Sequence, residues 1–144
     1  PAGAVCGEMA SHYDLYQTIL DMAGVPYSRD ESLPGKSFAG ILTGSQERFR
    51  DEVVVYDEYG PVRMIRTKEW KYVHRYPDGP HELYDLVQDP EEYRNLADDP
   101  RFAGMIADMR ARLSQWFQRY VDPALDGSRE RVSGRGQLDS HHFI

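Results

Sequence analysis

The chain has little cysteine, little positive charge and no long apolar segment. Its one cysteine, Cys6, excludes an internal disulfide and leaves the redox compartment open. Lys and Arg number 17 against 24 Asp and Glu, which gives a formal net charge of −7. This balance argues against nucleic acid as a partner, because phosphate binding requires a basic surface. No apolar run reaches the roughly 20 residues of a membrane-spanning helix, so we expect no membrane partner.

An initiator methionine and a signal-peptide pattern are also absent, since the chain opens Pro1-Ala2-Gly3. We therefore expect this chain to be a piece of a longer protein. Its apolar content of 40% is ordinary for a globular protein. A chain of 144 residues is long enough for one domain with a hydrophobic core.

The first predicted element is a helix from Ser11 to Ala23. Ser11 and Asp14 form a Ser-x-x-Asp capping signal at its start. One face of this helix carries an apolar stripe made by Leu15, Ile19 and Met22. The following residues, 26–52, are rich in Ser, Gly and charge, and they predict a connecting loop with a short helical turn near Phe38 to Leu42.

Four strands are predicted next, because short aromatic and β-branched runs are separated by turn residues. The predicted strands are Val53–Tyr59, Val62–Thr67, Trp70–Tyr76 and Glu82–Leu86. The short links between them imply antiparallel neighbours. Residues alternate in the third strand, which places its aromatic side chains and His74 on one side.

A long helix is predicted from about Pro100 to Val121, and Pro123 prevents its continuation. Its apolar residues recur at spacings of three and four: Phe102, Ile106, Met109, Leu113, Trp116 and Tyr120. This stripe must pack on the sheet, the one large apolar surface that the pattern offers. The predicted fold class is therefore α+β, a small antiparallel sheet of about four strands with the long C-terminal helix packed on it.

The most specific segment runs from Glu82 to Leu96 and reads Glu-Leu-Tyr-Asp-Leu-Val-Gln-Asp-Pro-Glu-Glu-Tyr-Arg-Asn-Leu. Its pattern predicts a strand followed by a capped helical turn, with Asp89 as N-cap, Pro90 at the first helical position and Glu92 as capping-box partner. The same residues resemble a segment near the C-terminus of type I sulfatases, the formylglycine-dependent sulfate-ester hydrolases of the alkaline phosphatase superfamily.

Three further motifs are similar to the same family. Asp14-Leu15-Tyr16-Gln17-Thr18 resembles its Asp-Leu-x-Pro-Thr helix, with Gln17 in place of Pro. Gly35-Lys36-Ser37-Phe38 is similar to its Gly-x-Ser-Leu loop. The residues from Arg63 to Thr67 resemble the Arg-x-Arg-Thr of its hairpin. The resemblance extends from about Ser11 to Pro123 and corresponds to the C-terminal third of a sulfatase.

The resemblance implies a division of the chain. Residues 1–25 would end the α/β catalytic domain with a helix, 26–52 would connect, 53–123 would form the C-terminal α+β subdomain, and 124–144 would form an irregular tail. The N-terminal catalytic domain of the same protein would then be the partner of this chain. Because the partners of the first helix would be missing, the isolated chain is expected to expose an apolar patch at Leu15, Ile19 and Met22.

The resemblance also implies an activity for the parent protein. The parent would hydrolyse sulfate esters or sulfamates, preferably of carbohydrates, and release inorganic sulfate. It would use a formylglycine nucleophile and a divalent cation, usually calcium, and the family places both upstream of the matched region. Two alternatives stay open: a phosphonate or phosphodiester hydrolase of the same superfamily, and a non-catalytic interaction or binding module.

The nucleophile that the family requires is absent from this chain. The motif is Cys/Ser-x-Pro-x-Arg, whereas Cys6 is followed by Gly-Glu-Met-Ala. We therefore expect no catalytic residue, no metal ligand and no bound cofactor in the 144 residues, and no sulfatase activity of the chain alone.

Several other candidate residues favour structural roles. The sequence Pro34-Gly35-Lys36-Ser37 lacks the earlier glycine and the preceding strand of a phosphate-binding loop. The acids at predicted strand ends are of a kind that solvent commonly covers, and the histidines are isolated or lie in the tail. These residues are Asp57, Glu58, Asp85, His12, His74, His141 and His142.

Arg63 and Tyr59 are the residues predicted to bind substrate in the parent protein. In the family, the sheet subdomain lies beside the mouth of the active site, and its loops help to shape the substrate pocket. Arginine suits a sulfate group because its planar donors bind oxyanions in pairs. The alternative for Arg63 is a salt bridge to one of the many acids of the chain.

Overall fold

The computed structural model describes Gly3, residues 5–57 and residues 61–129. Its α-helices are α1 (Leu15–Met22), α2 (Ala39–Thr43) and α3 (Ala103–Tyr120). Its strands are β1 (Val53–Tyr56), β2 (Val62–Arg66), β3 (Trp70–Arg75) and β4 (Glu82–Asp85). Single 3₁₀ turns occur at His12–Asp14, Pro100–Phe102, Pro123–Leu125 and Gly127–Arg129.

The four strands form one antiparallel sheet in the order β1-β2-β3-β4. A single row of side chains crosses the sheet in register and is buried: Val54, Ile65, Tyr72 and Leu83. Because side chains alternate along a strand, one such row fixes which face of the whole sheet is apolar. The predicted α+β fold is confirmed.

Helix α3 covers this row with residues at positions i, i+4 and i+8: Met109, Leu113 and Phe117. Burying each of these side chains contributes about 1.5–3 kcal/mol before conformational entropy is counted. Phe117 was not part of the predicted stripe, whereas Tyr120 was. The face that meets the sheet is therefore turned slightly from the predicted one, and Trp116 lies at its margin.

The prediction of a helix after β4 is wrong. The Asp89 carboxylate accepts hydrogen bonds from the backbone amides of Tyr93 and Arg94, at 3.1 and 2.8 Å. It thereby closes a wide turn around Pro90. Glu92 has a positive φ of 59°, which an α-helix cannot contain. Its carboxylate pairs with Lys71 of β3 and does not complete a capping box.

The Asn-Leu pair at the end of this segment binds the free edge of β4. The Asn95 side chain accepts from the Leu83 amide at 3.0 Å and donates to the His81 carbonyl at 3.0 Å. The Leu96 amide donates to the Leu83 carbonyl, and the Leu96 side chain enters the core. Edge backbone groups of β4 are thus satisfied by local chain, which leaves that edge closed to further pairing.

The buried carboxylate of Asp14 joins the first helix to the connecting loop. It is fully buried and accepts hydrogen bonds from the backbone amides of Ser11 and Lys36, both at 2.9 Å, and from the guanidinium of Arg50. Arg50 also donates to the Pro34 carbonyl at 2.7 Å. We call Asp14, Arg50 and these amides the Asp14 node.

Thr18, one helical turn after Asp14, extends the node along the same face. Its hydroxyl donates to the Asp14 carbonyl at 2.7 Å and accepts from the Phe38 amide at 3.0 Å. Between these contacts, Gly35 lies so close to the Tyr13 carbonyl and the Gln17 side chain that a Cβ atom would overlap both. The Asp-Leu-x-x-Thr and Gly-x-Ser motifs therefore recognise each other.

We expect Asp14→Asn to lower the free energy of unfolding by about 3–5 kcal/mol, because it leaves the largely buried Arg50 guanidinium without its counter-charge. Urea denaturation measures this change. Asp51→Asn is the matched control, since Asp51 pairs with Arg48 in an exposed ion pair and should change stability by less than about 0.5 kcal/mol. Equal effects of the two substitutions would contradict the role of the node.

Candidate functional site

Arg63, the residue predicted to bind substrate, lies in β2 opposite His74 of β3. Its side chain is buried, with only 4% of the residue exposed. The guanidinium carbon lies 3.6 Å from the ring centroid of Phe117 and 4.8 Å from that of Tyr76. Arg63 also pairs with the carboxylate of Asp126. We call Arg63, Tyr76, Phe117 and Asp126 the Arg63 cluster.

The cluster binds the segment after α3 to the sheet, because Asp126 belongs to residues that follow the helix. A cation between two aromatic faces gains from their quadrupoles, and the paired carboxylate compensates its charge. One donor of the guanidinium, Nε, has no hydrogen-bond partner within the described residues. Tyr59, the second residue predicted to bind substrate, lies outside the described residues.

Two histidines stack beside the Arg63 cluster. The rings of His74 and His81 lie 4.2 Å apart at an interplanar angle of 19°, and Nδ1 of His74 is 2.8 Å from the Tyr72 hydroxyl. His74 is 2% exposed, and its Nε2 has no partner in the described part of the chain. Burial, together with the nearby His81, Arg110 and Arg63, lowers the pKa of His74 from 6.5 to about 4. The prediction of a core histidine is confirmed.

The phosphate-loop reading is excluded by where the loop amides point. The amides of Lys36 and Phe38 are bound by Asp14 and Thr18, so they are not available to an anion. Of the other candidates, Cys6 is exposed, Asp85 accepts hydrogen bonds from the amides of Val87 and Gln88, and His12 lies in the turn before α1. Glu58, His141 and His142 lie outside the described residues, and Asp57 follows β1.

The described residues do not fit the cofactors that the sulfatase resemblance implies. Across residues 5–57 and 61–129, no group of three or more His, Cys, Asp or Glu side chains is arranged to hold a metal ion. Cys6 lacks the neighbouring Pro and Arg of the formylglycine motif. No helix in the same ranges is both long and apolar enough to cross a membrane.

Helix α1 is oriented with its polar residues inward. Asp14, Gln17 and Thr18 are buried against the connecting loop. The apolar side chains on the other face are 48–64% exposed: Leu15, Tyr16, Ile19 and Met22. We call these four residues the α1 apolar face. The predicted exposed patch is confirmed, and such a helix is typical of an element whose apolar partner belongs to another part of a protein.

These features define a subdomain: a sheet with one covering helix, joined to a helix whose apolar face is uncovered. The comparison with known proteins identifies it more closely. The family described as N-sulphoglucosamine sulphohydrolase, C-terminal, matches residues 1–119, and the chain belongs to this family.

Known relatives agree with this assignment. A Δ4,5-hexuronate-2-O-sulfatase of Bacteroides thetaiotaomicron is 34% identical over 116 residues, which cover 76% of this chain and 24% of the relative. A solved structure in complex with its substrate, D-glucosamine-2-N,6-O-disulfate, is 26% identical with a TM-score of 0.64 over 81% of this chain and 25% of that one.

The phosphonate monoester hydrolase of Agrobacterium radiobacter shares the fold as well, at 25% identity and a TM-score of 0.59 over 78% of this chain and 25% of that one. The chain spans about a quarter of the length of the curated relatives that it matches. The fold is therefore common to sulfatases and phosphonate hydrolases of the alkaline phosphatase superfamily.

We expect the free energy of unfolding to fall as the pH drops from about 6.5 to about 4. The folded-state pKa of His74 is lowered, so the unfolded chain takes up the proton first, and the stability present above pH 6.5 is lost in this window. Urea denaturation at a series of pH values measures the slope.

The slope should be smaller in His74→Phe, which retains an aromatic ring and removes the titrating group. His81, whose pKa is also lowered by burial, accounts for part of what remains. His12→Phe is the control and should keep the slope of the unsubstituted chain. A slope unchanged by His74→Phe would exclude His74 as the source.

Proposed function

We propose that this chain is the C-terminal portion of a sulfatase that hydrolyses sulfate esters or sulfamates and releases inorganic sulfate. The observation that carries the proposal is the family match over residues 1–119. The relatives named as a hexuronate-2-O-sulfatase, a choline-sulfatase and arylsulfatase K support the same reaction class.

A sulfated carbohydrate is the proposed substrate class. Its support is that two of the similar proteins are named or solved with sugar substrates, a hexuronate and D-glucosamine-2-N,6-O-disulfate. The phosphonate monoester hydrolase favours a second candidate function, because that enzyme shares the fold at comparable similarity. Sulfate esters and phosphonate esters both place a charged tetrahedral centre before the nucleophile, so the fold does not separate them.

The parent protein is proposed to supply the nucleophile, a formylglycine, and a divalent cation, which we take to be calcium. Oxygen ligands from Asp and Asn suit such a hard ion. The cation would polarise the sulfate oxygens. None of these groups comes from the present chain, whose role is to close and support the catalytic domain.

The partner of the α1 apolar face is proposed to be the catalytic domain of the same protein. In the proposed division, residues 1–25 complete that domain, 26–52 connect, 53–123 form the subdomain and 124–144 form the tail. The Asp14 node supports this role, since it holds the polar side of α1 against the connecting loop and thereby directs the apolar side outward.

Substrate contact by Arg63 and Tyr59 stays a prediction. The partnerless Nε of Arg63 is the donor that supports it, because one hydrogen bond of the guanidinium is still uncommitted. The ion pair with Asp126 and the two aromatic neighbours would hold the guanidinium in position for an oxyanion.

We expect the full-length protein to release inorganic sulfate from D-glucosamine-2-N,6-O-disulfate and the 144-residue chain alone to release none. Ion chromatography of sulfate measures both. A phosphonate monoester serves as the competing substrate, and a higher kcat/KM for it would favour the second candidate function. In the same assay, Arg63→Lys should raise KM more than Asp126→Asn does if Arg63 contacts substrate. Equal effects would assign Arg63 a structural role alone.

We expect Ile19→Gln to destabilise the full-length protein by about 2 kcal/mol, because the Ile19 side chain would be buried in the domain interface. In the isolated chain, where Ile19 is 62% exposed, the same change should have little effect. Thermal unfolding of both forms measures the difference. Val87→Gln is the matched control, since Val87 is also 62% exposed but lies after β4. Equal effects of the two changes in the full-length protein would contradict the proposed interface.

A further inference from the structure

A second feature of the surface is a cavity between the connecting loop and the C-terminal half of α3. Its volume is about 540 Å³, within the range of roughly 300–1,000 Å³ that is typical of small-molecule sites. The loop contributes Lys36, Phe49 and Arg50, and α3 contributes Trp116 and Arg119 among others. The Asp14 node holds the loop side of this cavity in place, because both Lys36 and Arg50 are bound to Asp14.

The walls of the cavity are positive although the chain is acidic. Two of its four cationic side chains are neutralised, since Arg50 pairs with Asp14 and Arg112 pairs with Glu52. In the described part of the chain, neither Lys36 nor Arg119 has a carboxylate within ion-pair distance. Asp51 also lies at the wall, but its carboxylate is bound by Arg48 at 3.0 Å. Two uncompensated positive charges therefore remain at the cavity.

Aromatic side chains form the other part of the wall. Trp116 and Tyr120 lie one helical turn apart on α3, with ring centroids separated by 5.2 Å, and the guanidinium of Arg119 lies 5.1 Å from the Tyr120 ring. Both aromatic residues are only partly buried. An aromatic face next to a cation offers contact to a flat apolar surface and an anionic group at the same time.

We propose that this cavity binds one sulfated or carboxylated sugar unit of a saccharide. Lys36 and Arg119 would contact the anionic group, and Trp116 and Tyr120 would contact the less polar face of the sugar ring. Arg50 and Arg112 are committed to carboxylates and act as positioning residues for the two walls. The choice of a saccharide rests on the proposed function, whereas the anionic and aromatic character rests on the cavity itself.

Titration calorimetry of the 144-residue chain with D-glucosamine-2-N,6-O-disulfate at low salt tests the proposal. Lys36→Gln and Arg119→Gln should each weaken binding by about fivefold, the usual effect of losing one partly exposed charge contact, and higher salt should reduce this difference. Both side chains are exposed, so neither variant should fail to fold. Arg94→Gln is the matched control, because Arg94 is exposed, has no ion pair within the described ranges and lies outside the cavity.

Each of the other outcomes would overturn the inference. Absence of binding, or equal binding by all variants, would exclude the cavity as the site. Binding of inorganic sulfate as tight as that of the sugar would leave an anion site without saccharide recognition. If the two variants destabilised the full-length protein and left sugar affinity unchanged, the cavity would be part of the domain interface. Sulfate release is measured separately, so a failure of the proposed function does not imply failure of this binding test.

Discussion

The buried carboxylate of Asp14 is the interaction on which the arrangement of this chain depends. A fully buried charge is costly unless it is paired and hydrogen-bonded, and Asp14 meets both conditions through Arg50 and two backbone amides. The residues that satisfy it lie 22 and 36 positions further along the chain. One side chain therefore fixes the path of the connecting loop, and Gly35 permits the close passage that this path requires.

The Asp14 node also explains why α1 presents apolar residues to solvent. Because Asp14, Gln17 and Thr18 are directed at the loop, the opposite face of the helix has no contact within the described residues large enough to bury it. An amphipathic helix whose polar side is buried is stable as part of a larger structure. The family membership and the partial coverage of relatives give the same physical picture of a subdomain that completes a catalytic domain.

Much of the fold could be predicted from local patterns. Short runs of β-branched and aromatic residues located all four strands, and the spacing of Ile106, Met109 and Leu113 located α3. The errors occurred where a distant or side-chain contact overrides the local preference. Asp89 and Glu92 have the spacing of a capping box, but Asp89 binds later amides and Glu92 pairs with Lys71 in the sheet. Phe117 lies in the core because the sheet selects the face of the helix.

The sequence by itself determined the order and type of the elements, the antiparallel meander and the family, because these depend on period, turn chemistry and motif spacing within short segments. The tertiary structure alone decided which side of α1 is buried, how Arg63 is enclosed by Phe117 and Asp126, and that Lys36 and Arg119 face one cavity. Those features join residues up to 83 positions apart, between Lys36 and Arg119. Contacts at such separation follow from the packing of helix, loop and sheet, which no local pattern contains.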